Sequence, residues 1–221
     1  MFSLKRRSIS DIDHLIIAPE LVRKRARILV IDDDEEAFPY KLLQKEGYYV
    51  HYWPRIENLR LLESGEYDLI ILDIFGVAAK DVSATDGIGV LEHIKKSNPG
   101  QLVIAYSGQK YDLSQARFWK IADDYLGKPS SLIECKEKID FLLNKEFTPK
   151  HYWDELVHIL QAESISQKSI RRFESYLVRE IKRGKAMPVH KIERFLRISD
   201  HIASIIGVLI QVINRSAGQG Q

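Results

Sequence analysis

Residues 27–34 read Arg-Ile-Leu-Val-Ile-Asp-Asp-Asp: four apolar positions that run straight into three carboxylates. A continuous β-branched run of this length is buried on both faces, as in a parallel sheet covered by helices on each side. The pattern recurs in Asp68-Leu-Ile-Ile-Leu-Asp73, in Leu102–Tyr106 before Ser107, and in Tyr125-Leu126 before Gly127, Lys128 and Pro129. An apolar run that breaks into a carboxylate, a hydroxyl or an ammonium places polar chemistry at a strand end.

Five strands are therefore expected, at Ile28–Ile31, Tyr48–Tyr52, Leu69–Ile74, Leu102–Tyr106 and Tyr125–Leu126. Amphipathic stretches between them predict helices at about 35–46, 56–64, 87–97, 112–122 and 130–144. Gly47 closes the first of these, and Ser97-Asn98-Pro99-Gly100 stops the third. The expected class is α/β, a doubly wound five-stranded parallel sheet, followed by an all-α region. In such sheets ligands bind beyond the carboxyl ends of the strands, where these polar residues fall.

The chain has 221 residues, is 45% hydrophobic and carries a formal net charge of +2. That charge is uneven. Residues 1–26 hold six basic and three acidic side chains, 27–146 fifteen and twenty-one, and 147–221 twelve and seven. Three regions follow: a basic N-terminal extension (1–26), the α/β domain (27–146) and a helical region (147–221). The sequence does not decide whether the extension, with Leu15-Ile16-Ile17, packs on the α/β domain or on the C-terminal helices. A single cysteine, Cys135, excludes an internal disulfide framework and fits a reducing compartment. The N-terminus meets Asp11 and Asp13 before any long apolar stretch, so a cytoplasmic location is expected. The apolar run Ile202–Ile213 falls short of the ~20 residues a membrane span needs.

Beyond the hinge at 145–150, helices are expected at about 151–163, 166–184 and 188–214, with Pro188 in the first turn of the last. That last helix carries two stripes: Phe195, Ile198, Ile202, Ile205, Leu209, Val212, and Ile192, Leu196, Ser199, Ala203, Ile206, Ile210, Ile213. So wide an apolar arc predicts contacts on two sides, one of them a second copy of the chain in a homodimer. Lys168, Arg171, Arg172, Arg179, Lys182, Arg183 and Lys185 form a basic face that would suit DNA phosphates, or simply solvent. His190 and His201 read as packed or surface histidines, and 218–221 as a frayed tail.

At the strand ends, two carboxylates, a backbone carbonyl and a phosphoryl oxygen would make a hard-oxygen shell for Mg2+. Asp73 is then placed to attack phosphorus and become an acyl phosphate, with Ser107 and Lys128 offsetting charge on the phosphoryl oxygens. Gly108 leaves room beside Ser107, and Lys128-Pro129 is a candidate cis bond. Asp34 and Glu35 read equally well as a helix N-cap.

These motifs, with Asp86-Gly87-Ile-Gly-Val-Leu91, Ile104-Ala-Tyr-Ser107-Gly108 and Ala122-Asp-Asp-Tyr-Leu-Gly-Lys128-Pro129, resemble the receiver domain of two-component response regulators over residues 27–144. The resemblance implies that Asp73 takes a phosphoryl group from a sensor histidine kinase in a phosphorelay. It also implies Mg2+ on Asp33, Asp73 and the Phe75 carbonyl, with Asp32 assisting through water. Ser107 and Lys128 match the switch hydroxyl and the lysine, and Tyr125 the aromatic switch. The protein would be a signalling switch, not an enzyme acting on other molecules, that reports to the face of the fifth strand and its flanking helices. The sequence departs from the family where Val77 replaces a proline, where Val77–Thr85 delays Asp86-Gly87, at Phe75 beside the acceptor, and at Trp119-Lys120-Ile121. Asp32-x-Asp34, Ser107 and Lys128 also echo haloacid-dehalogenase-like phosphatases. Against that, Glu36 stands where a hydroxyl is needed, no acidic pair follows Lys128, and Asp73 has no role.

Overall fold

The computed structural model describes residues 7–13, 19–108, 120–185 and 187–218. Its sheet is built from β1 (Arg27–Ile31), β2 (Tyr49–Trp53), β3 (Leu69–Asp73), β4 (Leu102–Ser107) and β5 (Asp124–Gly127), all parallel in the order β2-β1-β3-β4-β5. The three inner strands are buried almost throughout, apolar between Arg27 at the start of β1 and the polar ends Asp73 and Ser107, because helices cover both faces; β2 and β5 lie at the edges and mix buried with exposed positions. Ile31 pairs with Leu72, Asp73 with Tyr106, and Ser107 with Gly127. That register brings Asp32, Asp73, Ser107 and Lys128 to one edge of the sheet.

The chain divides into two compact units, one from Ala18 to Glu146, the other joining Met1–Ile17 to Phe147–Gln221. The first holds the sheet with α2 (Pro19–Arg25), α3 (Tyr40–Lys45), α4 (Leu59–Glu63), α5 (Asp86–Ser97) and α6 (Leu132–Glu146). In α2, Arg23 pairs with Asp140 of α6 at 3.1 Å and lies over the Tyr48 ring. The expected helix 35–46 is shorter. The Asp34 carboxylate accepts from Glu36 N and the Asp34 carbonyl from Ala37 N, so residues 34–37 close a turn and the helix begins after Pro39. Asp34 therefore caps that turn instead of the helix. Of the expected helix 112–122, all but residues 120–122 lie outside the described residues, as do Leu15-Ile16-Ile17, Trp119 and most of the tail. Cys135 is buried in α6.

The second unit contains α1 (Ser10–Asp13), α7 (Pro149–Ala162), α8 (Gln167–Ile181), α9 (Val189–Leu196) and α10 (Asp200–Ser216). The N-terminal strip is part of its core: Ile9 and Ile12 are buried, Ile9 N donates to Glu174 of α8 at 2.9 Å, and Ser175 Oγ donates to the Arg7 carbonyl at 2.8 Å. The single helix expected over 188–214 is two helices bent by 118°. Arg197 takes a left-handed conformation (φ 58°, ψ 47°) that ends α9, and Ser199 Oγ accepts from Ile202 N to open α10. The bend splits both stripes. Ala203, Ile206, Leu209, Ile210 and Ile213 of α10 are then buried within one chain. The helix packs on α7 and α9, which cover the second stripe, while Phe195 stays exposed and Ile198, Ile202 and Ile205 only partly buried. Phe173 of α8 meets Trp153 of α7 and Phe195 of α9 at ring-centroid distances of 6.4 and 5.5 Å. His190 and His201 are exposed. No single helix among the described residues is long and apolar enough to cross a membrane.

Because Ile12 fills the helical core, Ile12→Ala is expected to destabilise that unit by about 2–5 kcal/mol. Hydrogen exchange read peptide by peptide should show lost protection in α7 and α8, with β1, β3 and β4 unchanged.

Candidate functional site

Asp32, which follows the last residue of β1, and Asp73, which ends β3, are both buried; Asp33 is exposed beside them. One carboxylate oxygen from each lies within 4.8 Å of the others. Lys128 reaches from the end of β5 and sets its Nζ 2.6 Å from Asp32 Oδ2 and 2.6 Å from Asp73 Oδ2. The lysine is held from several sides. Its backbone N donates to the Ser107 carbonyl at 2.9 Å, its ammonium lies 4.9 Å from the centre of the Tyr106 ring, and its peptide bond to Pro129 is cis. Tyr106 is fixed in turn by a hydrogen bond to the Ala37 carbonyl and an edge contact with Phe38.

The remaining oxygens are oriented by backbone. Ile74 N donates to Asp73 Oδ1 at 2.6 Å, Phe75 N to the same oxygen at 3.4 Å, and Asp34 N to Asp32 Oδ1 at 3.0 Å. Tyr52 donates to the Asp32 carbonyl and stacks on Tyr40. Three carboxylates against one ammonium leave the cluster two charges negative. The contact of Asp32 Oδ2 with Lys128 is an ion pair without hydrogen-bond alignment, so this buried oxygen keeps bonding capacity. An all-oxygen, net-negative donor set of this kind fits a hard divalent cation such as Mg2+.

Burial pushes the Asp32 carboxyl above its ordinary range, although Lys128 and the Asp34 amide pull the other way. Burial also works against the Lys128 ammonium, but its close contacts with the Asp32 and Asp73 carboxylates more than offset that and raise its pKa. The lysine therefore stays charged while Asp32 carries a desolvation cost.

The other expected site residues surround this cluster. Ser107 is buried at the end of β4, whereas Tyr125 on β5 is 58% exposed, with the Lys138 ammonium 5.8 Å from its ring centre. The Phe75 side chain, two residues after Asp73, is 44% exposed. Val77, in the position where a proline is usual, is buried in the core, and its carbonyl accepts from Ile56 N. Residues 79–82 and 84–85 of the enlarged loop are exposed.

Sequence alone leaves Asp86 as a mere landmark. In the structure it has φ 52°, and its carboxylate accepts from Gly76 N at 2.7 Å and Ala78 N at 2.8 Å, fastening the loop that follows Asp73. Gly87 beside it donates to the Ile74 carbonyl; a Cβ there would stand 2.3 Å from the Asp73 carbonyl oxygen. The only hint of this role is an Asp-Gly pair after a long loop.

No family model matches the chain. Among curated proteins it is 34% identical over 99 residues to an uncharacterized transcriptional regulatory protein, YcbL, of Bacillus subtilis, covering 44% of this chain and 41% of that one. It is 29% identical over 122 residues to the transcriptional regulatory protein CusR of Escherichia coli, covering 54% and 52%. The chain thus spans about half the length of the curated relatives it matches. Among solved structures it is similar to a CheY-like receiver domain protein from Methanospirillum hungatei, with 27% identity, 54% of this chain and 94% of that one covered, and TM-score 0.47. It is also similar to the response regulator TrrA of Thermotoga maritima, solved with Mg2+ and BeF, with 32% identity, 53% and 99% covered, and TM-score 0.45.

A group whose folded pKa is raised adds stability below its ordinary pKa and loses it as pH rises through the folded value. At neutral pH the Asp32 charge therefore weighs against folding. Asp32→Asn is expected to melt higher than wild type at pH 7 without added metal, and the advantage should shrink as pH falls from the raised folded value to the ordinary carboxylate range, below which it changes no further. A variant that melts lower at pH 7 would refute the desolvation account.

Proposed function

We propose that this chain, whose first unit has the CheY-like receiver fold, is a two-component response regulator that accepts a phosphoryl group on Asp73 from a sensor histidine kinase. The observation that carries the reading is the Lys128 ammonium 2.6 Å from both Asp32 and Asp73 at the carboxyl edge of the sheet. Asp33, Asp73 and the Phe75 carbonyl would hold Mg2+, with Asp32 assisting. When bound, the cation supplies positive charge to phosphoryl oxygens.

In the transfer step an Asp73 carboxylate oxygen attacks phosphorus, forming the O–P bond as the kinase's P–N bond breaks. The electron pair and a proton return to the leaving imidazole. The backbone amide of Ile74 orients the nucleophile. Lys128 shifts from the carboxylate to a phosphoryl oxygen, and the Ser107 hydroxyl donates to another. Tyr125 turns inward into the space that Ser107 leaves. Such a switch biases an equilibrium already present, and the helical unit is the element that reports it. The chain acts as a cytoplasmic phosphoprotein in signalling, and its catalysis is limited to its own phosphorylation and dephosphorylation. A change of assembly through the helical unit is one form the output would take.

Beryllofluoride with Mg2+ should give an adduct at Asp73, seen by fluorine NMR, that is absent in Asp73→Ala. Light scattering of the same samples reads assembly. Without a magnesium-dependent adduct the acceptor role fails, whereas an adduct with no change in mass removes only the assembly output.

Phe75, two residues after Asp73, would set an apolar ring near the path of an attacking water, so the acyl phosphate should be long-lived. Phe75→Asn is expected to speed decay of the phosphoryl-protein of order tenfold, about 1.4 kcal/mol of barrier. Unchanged or slower decay would count against shielding by Phe75.

A further inference from the structure

The helical unit carries a groove of about 850 Å³ between α8 and α9, lined by Lys168, Arg171, Arg172 and Arg179, with Tyr176 and Phe195 as its apolar floor. No carboxylate is among its lining residues. Lys168, Arg171 and Arg172 are exposed, and among the described residues none of the three has an acidic partner. Arg179 is held differently. Its guanidinium lies 5.1 Å from the centre of the Tyr176 ring, which is itself stacked on Phe195 at 5.2 Å and 14°. Glu180 touches Arg179 Nε at 3.4 Å, which leaves the outer edge of the fork free of that contact.

We propose that this groove binds the phosphodiester backbone of a nucleic acid, with Lys168, Arg171, Arg172 and Arg179 as the phosphate contacts. The site stands apart from the phosphoryl chemistry of the sheet edge, so either can fail without the other. Three observations favour this ligand. From residue 168 to 179 the cations run along roughly 16 Å of helix, at 1.5 Å per residue. That is a row suited to a regularly charged strand and longer than any single anion needs. Three of the four are arginines, whose planar forks match phosphate oxygens in pairs, and one is preorganised by stacking, so less side-chain freedom is lost on binding. A repulsion-free lining concentrates positive potential in a concave surface, which strengthens attraction to a polyanion over a flat basic face. The remaining cations of the basic stretch, Lys182, Arg183 and Lys185, fall after the last turn of α8 and outside the groove.

The test uses the full chain and fluorescence anisotropy with a short labelled DNA duplex, and separately with one of its strands. Binding is expected to weaken steeply with salt. If three to four phosphates are neutralised, log K should fall against log salt with a slope of about −3 for duplex and somewhat less for a single strand. Arg172→Ala should reduce the slope by about 1. The double variant Arg171→Glu, Arg172→Glu should abolish binding while circular dichroism and melting stay as in wild type, since both side chains are exposed. Lys182→Ala should change little. The proposal is overturned if neither probe binds at about 50 mM salt, if the double variant binds as well as wild type, or if polyglutamate or anionic lipid vesicles displace the DNA at equal charge. A preference for duplex or strand identifies which nucleic acid supplies the backbone.

Discussion

One ammonium placed between two buried carboxylates sets the terms for the α/β unit. Lys128 can stand 2.6 Å from Asp32 and Asp73 only if three parallel strands end level with one another, and the pairings of Ile31 with Leu72 and Ser107 with Gly127 ensure that they do. Strand register is thus a chemical requirement as well as a packing one. A slip of one residue would turn every apolar side chain to the other face and carry the acids away from the lysine. Around this triad the sequence supplies orientation: amides of Ile74 and Asp34 on the acids, the Tyr106 ring beneath the ammonium. The cluster is left short of positive charge, and Asp32 bears a desolvation cost that hydrophobic neighbours would avoid. Such a cost persists where a site needs charge at a fixed place.

The strands were legible because an unbroken apolar run such as Leu69–Leu72, bounded by acids, suits a strand covered on both faces and is too short for a buried helix. All five lie within a residue or so of their expected limits. The same runs ending in Asp, Ser or Lys placed the acids, hydroxyl and lysine on one edge of the sheet. Helix limits were less legible. At 35–46 the apolar period continued through Phe38, but the Asp34 carboxylate and Pro39 favoured a local turn over a first helical turn. Over 188–214 the period of the stripes survived a break that only Ser199 announced, because a serine on an apolar stripe reads as a tolerated small residue until its hydroxyl is seen capping Ile202 N. Asp86 was illegible on different grounds. Its role rests on a positive φ and two backbone amides brought close by a loop, and neither leaves a trace in spacing.

The bend at Arg197 also changes what the C-terminal helices are for. A straight helix with so wide an apolar arc would need outside partners, whereas the folded-back pair satisfies most of that arc within the unit and leaves the groove between α8 and α9 as its distinctive surface. Aromatic packing of Phe173, Tyr176 and Phe195 links the core to that groove. Four of the region's twelve basic side chains, Lys168, Arg171, Arg172 and Arg179, line that groove.

The strip Arg7–Asp13 has a consequence for how the chain is made. Ile9 finds its partner Glu174 165 residues later, across the entire α/β unit. On a ribosome this strip emerges before the α/β unit yet lacks its α8 partner until that helix is made, by which time a sheet of mostly neighbouring strands has had the opportunity to fold. The strip thus settles only after a unit made later than itself. The α/β unit behaves as an insert spliced into a helical host, its two ends tied to the same body, as in proteins that accept whole domains within a loop.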